Sequence, residues 1–244
     1  MSKKNKISDK RAVRMLDDSA PFAIKEAYNQ LRTNLLYTAN DASNCPVYAV
    51  TSAEVGDGKS TVISNLAISF AQAEKKVLLV DADMRRPVQF QNFKLNKKQT
   101  GLSELLSGIA KYDESILSNP TPSLFVLTSG CIPPNPSELM LSPKFESLVE
   151  QWKKEFDIIF IDLPPVGIVS DPLSVASFVD GYVFVVMANK TDGRHLNAAI
   201  ETLEQINAKV LGTVIAGSSL KGEKSYKYKY SYKNGYEYGY GSDS

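Results

Sequence analysis

A chain of 244 residues with 43% hydrophobic side chains can bury one full core, and it suits one α/β domain plus tails. A formal net charge of +1 excludes a molecule built electrostatically for nucleic acid. Cys45 and Cys131 lie far apart and read as reduced thiols of a cytosolic protein, while a single histidine, His195, argues against a His-based metal site or a Ser-His-Asp triad and reads as a solvated residue near a helix start. No apolar run approaches the roughly 20 residues that a membrane span needs. The basic stretch Met1–Lys6 has no apolar core behind it, so the expected location is cytoplasmic.

In chain order, residues 1–20 are polar and are expected to form a flexible arm. Pro21 opens a helical pattern with Ala23, Ala27, Leu31 and Leu35 at every fourth position, and Glu26, Asn29 and Arg32 share another side of that helix. An apolar, β-prone run, Val47–Thr51, leads into Ala53-Glu54-Val55-Gly56-Asp57-Gly58-Lys59-Ser60-Thr61. A second helical pattern follows in Val62, Leu66 and Phe70. Strand, glycine loop, Lys-Ser and helix is the context a phosphate-binding loop requires. Gly56 and Gly58 let backbone N–H groups turn towards phosphate oxygens, and the helix N-terminus adds its positive dipole end. Lys59 is placed to reach the outer phosphates of ATP and the hydroxyl of Ser60 to ligate Mg²⁺. Ala53 stands where such loops usually begin with glycine, and is small enough to leave the loop intact.

Val77–Val80 predicts a strand buried on both faces, ending in Asp81 and Asp83. Residues 88–123 are less regular, with a short helical piece at Leu102–Leu106, and Leu124–Leu127 reads as a strand. Pro133–Glu138 predicts a stiff turn running into a helix capped by Ser137 and continued through Leu139, Phe145, Leu148 and Trp152. Ile158–Ile161 is a further buried strand, closed by Asp162 and Pro164-Pro165. Tyr182–Met187 and Val210–Ala216 complete the strands, with a helix through Leu196, Ala199, Ile200, Leu203 and Ile206 between them. This alternation predicts a doubly wound, mostly parallel sheet flanked by helices, that is, a P-loop NTPase domain over residues 21–217.

From Ser218 the composition changes. Tyr226, Tyr228, Tyr230, Tyr232, Tyr236, Tyr238 and Tyr240 are seven of the chain's twelve tyrosines, set among lysine, glycine and serine. Residues 218–244 are therefore expected to be a disordered tail.

In an open parallel sheet, ligands bind beyond the carboxyl ends of the strands, so Asp81, Asp83 and Asp162 are expected to meet the phosphate loop at one nucleotide–Mg²⁺ site. Asp162 fits the second metal-holding position of P-loop NTPases. Phosphoryl transfer to a hydroxyl needs a carboxylate that accepts its proton. Asp81 is the candidate and Asp83 the alternate, and spacing does not decide which carboxylate is base and which is ligand.

Together these residues resemble the bacterial tyrosine kinases of capsule and exopolysaccharide synthesis, in the Gram-positive form whose kinase is a separate cytoplasmic chain. The resemblance rests on Ala53–Thr61, on Asp-x-Asp-x-Arg at Asp81–Arg85, on Asp-x-Pro-Pro at Asp162–Pro165, on Pro133–Leu139 and on the tyrosine tail. It implies that Lys59 and Ser60 bind ATP and Mg²⁺, that Asp81 is the proton acceptor, and that Asp83 and Asp162 shape the metal site. It implies a ring-forming homo-oligomer that phosphorylates its neighbours' tails, recruited to the membrane's inner face by a transmembrane activator. Other protein tyrosine substrates and an opposing phosphatase belong to the same expectation. The family's Glu-x-x-Arg-x-x-Arg assembly contact survives here as Glu26, Asn29 and Arg32, without its first arginine.

Two other readings compete. Chromosome-partitioning and division-site ATPases carry an extra lysine five residues before the loop's own, where this chain has Glu54, and they give the tyrosine tail no purpose. A nucleotide-sensing scaffold whose tail contacts RNA would need more charge than five lysines against three acids supply.

Overall fold

The computed structural model describes residues 15–38, 44–96, 99–114, 116–118 and 121–218, with 116–118 described for the backbone. The tyrosine cluster and residues 1–14 lie outside the described residues. In chain order the elements are α1 (Phe22–Thr38), β1 (Val47–Ser52), α2 (Lys59–Gln72), β2 (Val77–Asp81), α3 (Gln89–Asn92), α4 (Leu102–Ser107), β3 (Ile116–Ser118), β4 (Leu124–Leu127), α5 (Pro136–Met140), α6 (Pro143–Glu155), β5 (Ile158–Asp162), β6 (Gly181–Met187), α7 (Gly193–Glu204) and β7 (Val210–Ala216). They build one seven-stranded sheet in the order β3-β4-β2-β5-β1-β6-β7. All neighbours are parallel except β3, which runs antiparallel to β4. The doubly wound P-loop architecture is therefore as expected, with β3 as an added edge strand.

The central strands β1, β2 and β5 are buried at every position, because helices cover both faces of the sheet. One core lies under α4 to α7 and is filled by Trp152, Phe145 and Phe184. The other lies under α1 and α2, where Phe70 packs on Phe160 with ring centroids 5.4 Å apart. The continuous apolar runs thus cost nothing in exposed surface, and they fix where the strands end. Asp81 pairs in register with Asp162, and Asp162 with Val50, so the carboxylate end of β5 lies beside the strand that feeds the glycine loop, and that of β2 one strand further along the sheet.

Three expectations are corrected. The arm does not extend to residue 20: Leu16 and Ala20 are buried, and the Leu16 N–H donates to Asn65 Oδ1 on α2 at 2.7 Å. Asn65 is thus a docking point that polarity alone hides. On α1, Ala23 and Ala27 are exposed, and the inner side is Tyr28, Leu31, Arg32 and Leu35, because only the second half of the helix reaches α2 and the sheet. The segment after Pro133 forms two helices, not one. Asn135 precedes α5, Ser137 lies inside it and caps nothing, and Pro143 starts a new helix because its ring has no N–H and cannot continue the first.

Candidate functional site

The glycine loop turns from β1 into α2 with Gly56 and Gly58 at φ +80° and +88°, a region that side chains rarely adopt. At Gly58 a Cβ would also lie 3.4 Å from Met187 Cε, so the strand β6 closes against the loop. Ten consecutive residues of α2, Val62–Ala71, are buried, which holds the first turn, Lys59-Ser60-Thr61, against the ends of β2 and β5.

At the centre stands Lys59. Its Nζ lies 2.8 Å from Asp83 Oδ2, 3.4 Å from Asp162 Oδ1 and 3.2 Å from Ser60 Oγ. Burial pulls its pKa down, but Asp162 and Asp83 outweigh burial and hold it above the ordinary lysine value. Asp162 is fully buried and accepts from Gln89 Nε2 at 2.7 Å; burial raises its pKa against the opposing pull of Lys59. Asp81 is buried behind them. Its Oδ2 accepts the N–H groups of Val88 and Gln89 at 3.2 and 3.0 Å, while its Oδ1 has no hydrogen-bond partner among the described residues. Burial first, and the Asp162 charge second, push its pKa well above the usual carboxylate range. Asp83 Oδ1 accepts the Arg86 N–H at 3.0 Å, which fixes the turn after β2.

A cavity of about 470 Å³ opens over this cluster. Gly56, Gly58, Lys59, Ser60, Thr61 and Asp83 line it, with Arg85, Arg86, Pro164, Pro165, Ile168 and Val169 opposite. Of the residues expected to bind nucleotide, Ala53 and Asp57 are buried away from the cavity; of the carboxylates, Asp83 lines it and Asp81 and Asp162 do not. Glu26 is exposed on α1, whereas the Arg32 guanidinium is spent inside the chain, donating from Nη1 to the carbonyl and hydroxyl oxygens of Ser69 on α2.

Asp57 has another task. Its Oδ2 accepts the Glu54 N–H at 3.0 Å, and its Oδ1 accepts the Thr191 hydroxyl at 2.9 Å and lies 3.3 Å from Lys190 Nζ. Lys190 also donates to the Val55 carbonyl at 2.6 Å, and His195 Nδ1 lies 2.7 Å from Glu54 Oε1. The connection between β6 and α7 thus grips the glycine loop from outside. His195 is exposed near the start of α7, as expected, with the unforeseen partner Glu54.

Sequence reasoning missed Gln89 and Asp171, and gave Ser137 a capping role in place of its bond to Asp171. Gln89 bridges Asp162 and the Ser60 carbonyl. Asp171, fully buried, takes both Arg85 Nε and Nη2 at 2.7 and 2.8 Å and also the Ser137 hydroxyl. Arg85 and Ser137 stood within noted motifs, but nothing in the spacing pointed to Asp171 as their common partner.

The donor set fits a nucleotide with Mg²⁺. Two carboxylates and a hydroxyl already surround one cation, the Lys59 ammonium, and oxygen ligands suit Mg²⁺. The unpartnered Asp81 oxygen leaves acceptor capacity in the same cluster. Among the described residues no three His, Cys, Asp or Glu side chains form a metal cage, and Mg²⁺ held by one or two carboxylates plus substrate phosphates needs none.

Comparison with known proteins agrees with this geometry. Residues 45–238 match the ParA family model, described as NUBPL iron-transfer P-loop NTPase. A tyrosine-protein kinase, CpsD of Streptococcus agalactiae, is 38% identical over 191 residues, 78% of this chain and 82% of that protein. The kinase domain of the Escherichia coli tyrosine kinase ETK matches with TM-score 0.78 and 29% identity, covering 91% of this chain and 89% of that one. The septum site-determining protein MinD of Pyrococcus horikoshii OT3, complexed with Mg-ADP, is similar in fold alone, with TM-score 0.60, 20% identity and 70% of each chain covered.

Proposed function

Because the chain belongs to the P-loop NTPases and, among them, to the bacterial tyrosine kinases, we propose that it transfers the terminal phosphoryl group of ATP to tyrosine hydroxyls, first of all to its own C-terminal cluster on a neighbouring copy, and so regulates capsule or exopolysaccharide synthesis. The observation that carries this reading is the Lys59 ammonium held between Asp83 and Asp162 at the wall of a cavity floored by the glycine loop. A cation among carboxylates, at the N-terminus of α2, is where phosphates and their metal replace one another's charges with little rearrangement.

In this reading the N–H groups around Gly56 and Gly58 and the Lys59 ammonium hold the outer phosphates. Ser60, Asp83 and Asp162 would hold Mg²⁺, which neutralises phosphate charge when bound. The tyrosine oxygen bonds to the terminal phosphorus, the bridging oxygen leaves with the diphosphate, and the hydroxyl proton passes to a carboxylate. Asp81 suits that last role: burial and the Asp162 charge raise its pKa and so its hold on a proton, and among the described residues its Oδ1 has no partner. Its burial requires the segment that covers it, Val88–Gln89, to give way when the acceptor enters. Asp83, already lining the cavity, is the alternate.

The resemblance supports the partners: a ring of copies, a transmembrane activator that brings the chain to the membrane's inner face, tyrosine substrates and an opposing phosphatase, with no nucleic acid. With Arg32 engaged on Ser69, the ring contact falls to the exposed side of α1 around Phe22 and Glu26. Mass spectrometry of the full chain after incubation with Mg-ATP tests the whole reading. Phosphate on Tyr226–Tyr240 is expected, and none on the Lys59→Met variant. ATP turnover without phosphotyrosine would instead favour the division-site type of ATPase.

A further inference from the structure

β7 is an edge strand, and among the described residues nothing pairs with its outer side. The Ala188 N–H donates to the Ala216 carbonyl at 2.8 Å, so Ala216 faces β6. Alternation then turns the N–H and C=O of Ile215 and Thr213 to the open edge. Both residues are exposed, Ile215 by 65%. Between β7 and α1 runs a groove made of two adjoining cavities of about 490 and 460 Å³ that share Leu31, Asn34, Thr213 and Val214. One end of this groove is Gly58 of the glycine loop and the other is Leu211. An open edge beside an apolar groove is a liability that proteins cover.

The chain itself carries a fitting occupant, and the described structure stops at the groove's mouth. Gly217 lines the groove with φ +70°, and a Cβ there would meet Met187 Sδ at 2.3 Å, so this position is a turn pressed onto β6. After it, Tyr226, Tyr228, Tyr230 and Tyr232 alternate strictly with Lys227, Lys229 and Ser231. That period of two gives one aromatic and one polar face to an extended strand. Its length equals that of β7, both being seven residues. Nine residues, 217–225, separate the two segments in the sequence, and Gly222 is among them.

We propose that Tyr226–Tyr232 docks in cis on the open edge of β7 as an antiparallel strand, with its tyrosines in the α1–β7 groove, and that phosphorylation expels it. The expulsion rests on the kinase activity proposed above; the docking does not. Each phosphate adds about −1.5 to −2 charges and three strong acceptors. Placing them against Leu31, Leu211 and Val214 strips their water, and the described residues that line this part of the groove include no cation to replace it. The docked strand keeps acceptor tyrosines away from the chemistry, and its upper end abuts Gly58, so its release also frees the side of the nucleotide loop.

Amide hydrogen exchange on the full-length Lys59→Met chain, which stays unphosphorylated, tests this. The Thr213 and Ile215 amides are expected to exchange at least tenfold more slowly than in the same chain with Tyr226, Tyr228, Tyr230 and Tyr232 all changed to serine. The slowing is expected to be independent of protein concentration. Equal rates in the two chains overturn the proposal, and slowing that vanishes on dilution overturns it in favour of a second copy on this face. In wild type treated with Mg-ATP the slowing is expected to fade as phosphotyrosine accumulates, and persistence at full phosphorylation overturns the expulsion. If no phosphotyrosine forms, the kinase reading fails while the Lys59→Met comparison still decides the docking.

Discussion

Thr191→Val cuts the tie between the glycine loop and the β6–α7 connection with almost no change of volume. The Thr191 hydroxyl donates to Asp57 Oδ1 at 2.9 Å and accepts the Met187 N–H at 2.8 Å. Valine leaves both without that partner. A buried group stripped of its partner costs about 1–3 kcal/mol. The Asp57 carboxylate keeps the Glu54 N–H and Lys190, but Lys190 is 44% exposed and its attraction is screened. With Met187 only half-buried, the two losses together come to about 2 kcal/mol. In a domain of this size that lowers Tm by about 4–8 °C. Because Asp57 also holds the Glu54 N–H, a loosened carboxylate frees the loop at its first turn. Affinity for a non-hydrolysable ATP analogue should therefore fall by about tenfold, equivalent to roughly 1.4 kcal/mol. Thermal melts and calorimetric titration measure the two effects, and Thr191→Ser should restore both. An unchanged Tm with unchanged nucleotide affinity would refute the idea that the outer grip shapes the loop.

Asp81→Asn should separate stability from activity. A carboxylate whose folded pKa is raised stabilises fully below the unfolded value of about 3.9, and that contribution is lost as pH rises towards the folded value. The asparagine variant should therefore melt higher than wild type at pH 7, with the gap closing towards pH 4, while phosphoryl transfer fails and ATP still binds; equal Tm at pH 7 contradicts the electrostatic argument. Arg85→Ala strips two charge-assisted bonds from the buried Asp171. Since Arg85 is 42% exposed, the loss in denaturant unfolding should be about 2 kcal/mol, below the range for a fully buried pair. Burial alone would raise the Asp171 pKa, but Arg85 and Ser137 outweigh it and hold it low, so its stabilisation is complete above about pH 4 and lost as pH falls through the folded value. The acid limb of the wild-type stability curve should flatten in Arg85→Ala, and an unaltered limb would show that this pair carries none of it.

Where one force dominates, the sequence was readable. β1, β2 and β5 are continuous apolar runs because both faces of the sheet are covered, and their ends put Asp81 and Asp162 in register beside the glycine loop. Val210–Ala216 was delimited to the residue by its apolar content between a lysine and a glycine. Contacts between segments distant in sequence were not readable. Asp57 looked like one more loop residue, yet its partner Thr191 lies 134 positions away. Asp171 meets Arg85 across 86 positions, and Gln89 meets Asp162 across 73. Local rules misjudged only the first half of α1: Ala23 and Ala27 face outward, while Leu31 and Leu35 of the same stripe pack inward beside Tyr28 and Arg32. The apolar spacing from Leu139 to Trp152 reads as one helix because it tolerates the break at Pro143 that only the backbone reveals.

Whether one copy phosphorylates the tail of another is decided by a mixed reaction. One partner is a chain with an intact site whose seven tail tyrosines are changed to phenylalanine; the other is Lys59→Met with its tail tyrosines intact. Neither should label alone with radioactive Mg-ATP. Together, phosphate should appear on Tyr226–Tyr240 of the Lys59→Met chain, at a rate that rises with the concentration of its partner. No label on that chain, with ATP still consumed, would contradict the account.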